Sequence, residues 1–289
     1  MQNKSEKSVK IINKETQKAF EPFQERIKET AQIQIESFKA IQKQFDAIIA
    51  PIKSSQEKMK TLLEPIHEEM ERIQKSIKEA SARITNLWQS YPDDLITLGR
   101  HGWYLGIDAS FGDPNYLANL YNKGRVKDAD KYLTRYFEDY FKYQFDKIYI
   151  VYPNRHTIFD EMNKLYQDGS YYGFINLALA QIDGICFDMT RQKFFLKKKD
   201  NNYYPQVYSD LERINDSIIE VLLAPIKNNT PILAQESDLL HYPCQLNRHK
   251  ILHGVYTEYG SKINALKVFS LLIFVSDLLN IFNEKKCKI

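Results

Sequence analysis

Near its C-terminus the chain reads NRHKILHG over 247–254, which places a permanent cation just ahead of two groups that titrate near neutrality. Arg248 and His253 stand in an Arg-x4-His spacing, with Asn247 and His249 on either side of the arginine. A guanidinium holds a phosphodiester through a planar fork of N–H donors, and an imidazole gives or takes a proton at neutral pH. The pair therefore suits phosphodiester cleavage without a metal. On an ideal helix, residues five apart differ in direction by about 140°, so the two would not share a face. Gly254 changes that expectation. A glycine there predicts the end of the helix and puts His253 at its C-terminal lip, free to turn into a groove beside Arg248. The alternative reading leaves both side chains as caps and ion-pair partners of a helical bundle.

Asp183 is the carboxylate with most to explain, because it lies inside the apolar run LALAQIDGICFDM (177–189). Burying it is costly unless it is paired, and Arg248 is the natural partner; a solvated helix edge is the other possibility. A basic cluster of Arg191, Lys193, Lys197, Lys198 and Lys199 follows the same segment, either as phosphate contacts or as solvated loop charges. Tyr132, Tyr136, Tyr140 and Tyr143 repeat at helical spacing, which reads first as packing surface and second as a platform for base stacking. No Gly-rich phosphate loop, metal-ligand cluster or Ser/Cys nucleophile constellation is present in the sequence, so neither a metal nor a cofactor is expected.

The elements that must position these residues are read from composition and period. All ten glycines fall at or after Gly99, and the first ninety residues are rich in Lys, Glu, Gln, Ile and Ala, as long helices are. From Met59 to Leu87 apolar residues alternate by four and three (Met59, Leu63, Ile66, Met70, Ile73, Ile77 and on through Ile84), which is a coiled-coil seam. A less regular seam runs from Ile27 to Ile52, and Pro22, Pro51 and Pro65 predict kinks or breaks, with a helix restart near 54–55. This arm, 1–90, reads either as an oligomerising or partner-sensing device or as a stalk packed on its own body.

Residues 91–150 read as a helical linker domain, with a loop over 106–117, one helix over 126–147 and a short strand as an option at KIYIVY (147–152). Residues 151–289 read as a bundle. Its helices are expected from Asn154 as cap to about Gln167 with Gly169 as stop, over 171–190, over 208–223, from Ser237 to Leu252 with Pro243 as an interruption, and from Ser261 to Phe282. The fold class is all-α. A balance of 40 Lys+Arg against 37 Asp+Glu leaves +3, too little to announce a nucleic-acid binder by charge. Cys186, Cys244 and Cys287 are isolated, as free thiols in a reducing cytoplasm would be, and the polar N-terminus has no signal-peptide character. Residues 263–282 have the apolarity of a membrane span, but Lys267 and Asp277 interrupt them, which favours a buried or dimer-forming helix.

Together, NRHKILHG, the following HGVYTEYGSKINALK (253–267), LALAQIDGICFDM (177–189) and YPNRHTIFDEMNKLYQDGSYYGF (152–174) resemble the HEPN superfamily over about residues 150–285. A looser similarity extends to LGRHGWYL (98–105). The resemblance implies a HEPN-like helical bundle in 151–289 and a metal-independent endoribonuclease, of the toxin or antiphage-effector type, in which two protomers form one site. It implies catalytic roles for Arg248 and His253, groove-lining roles for Asn247 and His249, and a place for Asp183 where the family resembles Gln-x-Glu-Gly. Lys197, Lys198, Lys199, Tyr256 and Tyr259 are the corresponding RNA-binding candidates. It also implies an RNA substrate, a homodimer or higher oligomer, and a regulatory partner reached through 1–90. Other members of the superfamily are non-catalytic dimerisation modules, and that reading stands beside the enzyme.

Overall fold

A computed structural model describes residues 29–44, 56–110, 112–197, 204–213, 217–228 and 230–286, and the chain divides into two compact units, Met1–Gln89 and Ser90–Ile289. Regular structure among the described residues is helical, apart from one isolated antiparallel bridge between Lys197 and Pro205.

In the first unit, α1 spans 29–44, and α2 (Gln56–Arg100) contributes its residues up to 89. The predicted break at 51–55 lies outside the described residues, as do Ile27, Phe45, Ile48 and Ile52 of the weaker seam. Of the regular seam, Ile66, Ile73, Ile77 and Ile84 are each more than two-fifths exposed, while Met70 and Leu87 are half-buried. Around them run solvated ion pairs such as Arg72 with Glu69 at 3.0 Å. A helix with one apolar stripe buries that stripe against something when it forms a stable assembly, and among the described residues these four isoleucines stay exposed.

In the second unit the chain runs through the end of α2, α3 (Asp113–Asn122), α4 (Val126–Asp139), α5 (Phe141–Val151), α6 (His156–Gln167) and α7 (Tyr171–Thr190). The short α8 (Tyr208–Glu212), α9 (Ser217–Leu222), α10 (Ala224–Lys227) and α11 (Arg248–Leu252) lead into α12 (Lys262–Lys286). Residues 91–150, expected as a separate linker domain, belong to the same compact unit as 151–289, because α4 and α5 both pack on α12.

That last helix is the centre of the core. Every residue from Ala265 to Leu279 is buried, against α7 most extensively and against α4, α5, α8 and α9 as well. An α-helix apolar on all sides is stable in water only when neighbours cover it all round. Here its own chain covers it, which is the buried helix of the two alternatives read from the sequence and accounts for its membrane-like hydropathy. The two charges that interrupt it are both answered. The Asp277 carboxylate receives Lys147 Nζ at 2.7 Å and the Ile107 N–H at 3.1 Å. The Lys267 ammonium stands 3.9 Å from Asp130 and over the ring of the fully buried Trp103.

Several local expectations need correction. The single helix foreseen over 126–147 breaks at Tyr140 (φ −100°, ψ 5°). The break lets Phe137 stack on Trp103 while Phe141 and Phe145 pack on Phe269 of α12, and KIYIVY is helical in α5 as far as Val151. Helix α3 begins at Asp113, because Pro114 in its first turn suits a helix start as well as a turn. Asn154 does not cap α6. It sits in a 3-10 turn and donates to Asp188, leaving Arg155 as the N-cap residue, while Gly169 ends the helix as foreseen. The helix expected over 208–223 is divided into α8 and α9, with α10 following it, and 237–252 resolves into a 3-10 turn (Glu236–His241), an extended stretch and the five-residue α11.

Candidate active site around Arg248 and His253

Helix α11 starts where Asn247 leaves extended backbone (φ −131°, ψ 124°) and its Oδ1 accepts the Lys250 N–H at 3.0 Å, a side-chain N-cap. The Asn247 amide also donates to the carbonyls of Pro231 at 2.7 Å and Ala234 at 3.0 Å, and the residue is 1% exposed. Its polar capacity is spent on tying the 230–234 turn to α11. Asn247 is therefore an organising residue, not one of the groove-lining catalytic groups the resemblance implied.

The helix ends as the sequence indicated. His253 is its C-cap residue (φ −90°, ψ 3°), and Gly254 follows at φ 71°, a left-handed conformation that costs a residue with a Cβ about 1 kcal/mol or more. The Lys250 carbonyl then accepts two N–H groups, from Val255 and Tyr256, which closes the helix end. Both imidazoles are exposed, and the rings of His249 and His253 lie 4.2 Å apart between centroids, as residues four apart in sequence do on one helix face.

Arg248 faces away from them in sequence register but remains beside the same short helix. Its guanidinium lies over the Phe195 ring at 5.2 Å, and its Nε is buried with no hydrogen-bond partner. Among the described residues no carboxylate pairs with Arg248. Asp183, the expected partner, instead accepts the Phe195 N–H at 2.8 Å. It holds the platform on which Arg248 rests and does not touch the guanidinium itself. Phe195 was not foreseen: an aromatic residue in a loop carries no periodic signal, and its pairing with Arg248 is purely tertiary.

The Gln181-x-Asp183-Gly184 segment serves a different arginine. Arg155 donates from Nη1 to Gln181 Oε1 at 2.7 Å and pairs with Asp188 at 2.8 Å. A Cβ at Gly184 would stand 2.4 Å from Arg155 Nη1, so the glycine is what lets the guanidinium lie against α7.

The RNA-binding candidates separate. Lys197 is half-buried in its bridge to Pro205, and burial lowers its pKa although Asp238 opposes the shift, while Lys198 and Lys199 lie outside the described residues. Tyr259 accepts from Asn176 at 2.8 Å and packs edge-on against Tyr172, whose hydroxyl donates to the Thr257 carbonyl at 3.1 Å. Tyr256 is half-buried, and burial raises its pKa. Tyr259 thereby latches the segment after Gly254 to α7, while Tyr256 packs on Tyr259. No family model, curated protein or solved structure matches the chain.

Proposed function

We propose that the protein is a metal-independent endoribonuclease of HEPN type, acting in the cytoplasm as a toxin or antiphage effector. What supports this reading is the unspent Arg248 cation, held on an aromatic platform without a carboxylate partner, next to two exposed imidazoles in mutual contact. In this mechanism one imidazole takes the proton of an RNA 2′-OH, whose oxygen attacks the adjacent phosphorus. A second, protonated imidazole gives its proton to the departing 5′-oxygen, and Arg248 stabilises the charge on the phosphoryl oxygens. The products are a 2′,3′-cyclic phosphate and a free 5′-hydroxyl. His253 is one of the two proton-transfer groups. The other is His249 of the same chain or His253 of a second copy, and the exposed Leu252 and Val255 flanking His253 suit the approach of such a copy.

Purified full-length protein incubated with total RNA and EDTA should leave cyclic phosphate ends. Arg248→Ala and His253→Ala should each slow cutting by about 10²-fold or more with the fold intact. Undiminished cleavage by a folded His253→Ala protein would refute the mechanism. The second reading, a non-catalytic module that recruits a partner through its arm, draws on the exposed isoleucine stripe of α2. It gains if the wild type leaves RNA intact while residues 56–89 mediate assembly.

A further inference from the structure

The tyrosine repeat of α4 and α5 is not absorbed by the site above, and the structure gives it a setting. Where α4 ends at Tyr140 and the chain turns into α5, the elbow together with Asp108, Ser110 and Asp113 encloses an open cleft of about 920 Å³. Tyr132, Tyr136, Tyr140 and Tyr143 line it, three of them more than two-fifths exposed. Asp108, Asp113 and Asp139 stand around the same cleft, with Arg135 as the one cationic side chain in its lining, so three carboxylates face one guanidinium.

The existing partners leave part of this charge unanswered. Lys147 takes up Asp108 at 2.7 Å, and Arg135 reaches Asp139 at 3.5 Å with a side chain that is mostly in solvent. Asp113 accepts only the Tyr132 hydroxyl, at 3.2 Å, among the described residues. The negative character is felt by the tyrosines: the Tyr136 hydroxyl is pushed up to about 12, first by burial and then by Asp108 and Asp113. A further acceptor belongs to the cleft wall. Gln144 is 3% exposed, its Nε2 donates to Asp108 at 3.3 Å, and its Oε1 has no partner. A buried acceptor without a donor costs about 1–3 kcal/mol, and an N–H group from a bound molecule would recover it.

Stacked nucleobases would bring phosphates against these carboxylates, which makes the cleft a poor nucleic-acid surface. Aromatic faces beside carboxylates instead attract cations, through the ring quadrupole and through charge. We propose that this cleft binds a small organic cation carrying several ammonium groups on an aliphatic chain, a polyamine, with its methylenes on the tyrosine faces and its ammonium groups at Asp113, Asp139 and the Gln144 amide oxygen. The site is separate from Arg248 and His253 and does not depend on the nuclease reading.

Isothermal titration of the full-length protein with spermidine, against sodium chloride at matched ionic strength, tests it. Saturable binding of spermidine above the salt control is expected, weakened about tenfold or more in Tyr140→Ala and in Asp113→Asn. Tyr140 is exposed, and the half-buried Asp113 keeps its size as asparagine, so circular dichroism should stay unchanged. Spermidine heats equal to those of salt, or affinity unaltered in both variants, would overturn the proposal. So would a trilysine peptide that binds more tightly than spermidine, since the occupant would then be a protein segment.

Discussion

Lys147→Met tests the account of the core most sharply, because it removes the cation from Asp277 while keeping most of the stem that packs beside it. Asp277 is 2% exposed, and burial raises its pKa even with Lys147 at 2.7 Å; Asp108 raises it further. For Lys147 the burial penalty is outweighed by its hydrogen bonds to Asp108 and Asp277, so its pKa is held above the usual lysine value. Without the cation, the carboxyl does best by keeping its proton. The cost of doing so sets a ceiling. Starting from an ordinary pKa of 3.8, holding the proton at pH 7 spans about 3.2 pH units at about 1.36 kcal/mol each, or about 4.4 kcal/mol. At pH 5 the same ceiling is about 1.6 kcal/mol.

The sign follows from proton uptake. Below 3.8 both folded and unfolded chains hold the proton and the variant carries no penalty from this group. Above it the unfolded chain releases the proton while the folded chain retains it, so the deficit grows with pH. Urea unfolding followed by tryptophan fluorescence should show Lys147→Met less stable than wild type by about 3–4 kcal/mol at pH 7 and about 1–1.5 kcal/mol at pH 5. The double variant Lys147→Met/Asp277→Asn, which keeps an acceptor for the Ile107 N–H, should recover much of the loss and flatten its pH dependence. A deficit below about 1 kcal/mol at pH 7, or one that is larger at pH 5 than at pH 7, would show that Asp277 is not the buried carboxylate described above.

Asn247→Ala should lower stability by about 2–4 kcal/mol, because it removes an N-cap and leaves two buried carbonyls without donors; a fully stable Asn247→Ala protein that had lost RNA cleavage would return the residue to a catalytic role. Ile73→Glu with Ile77→Glu should reduce the assembly mass seen by sedimentation while the helicity of the second unit persists, and an unchanged mass would remove the α2 stripe as an assembly surface.

Local chemistry made much of the second unit legible in advance. Gly169 separated α6 from α7, the apolar run located α12, and Gly254 marked the end of α11 so that His253 became its C-cap residue. The break at Tyr140 was invisible, because no Gly or Pro marks it and only the packing of Phe137 and Phe141 onto different partners asks for it.

The candidate site divides in the same way. Arg248, His249 and His253 could be named from residue type and spacing, since the chemistry of a guanidinium and an imidazole belongs to the side chain itself. What each neighbour does was decided only when distant segments met. Asp183 turned to the Phe195 backbone, Arg155 took the place beside Gly184, and Asn247 was consumed in holding a turn. Helix α12 shows the same division most plainly: its composition required that it be covered on every side, but composition does not specify the cover. Helices α4, α5 and α7 of the same chain supply it, from segments far from α12 in sequence, so the cover is settled only when the chain packs.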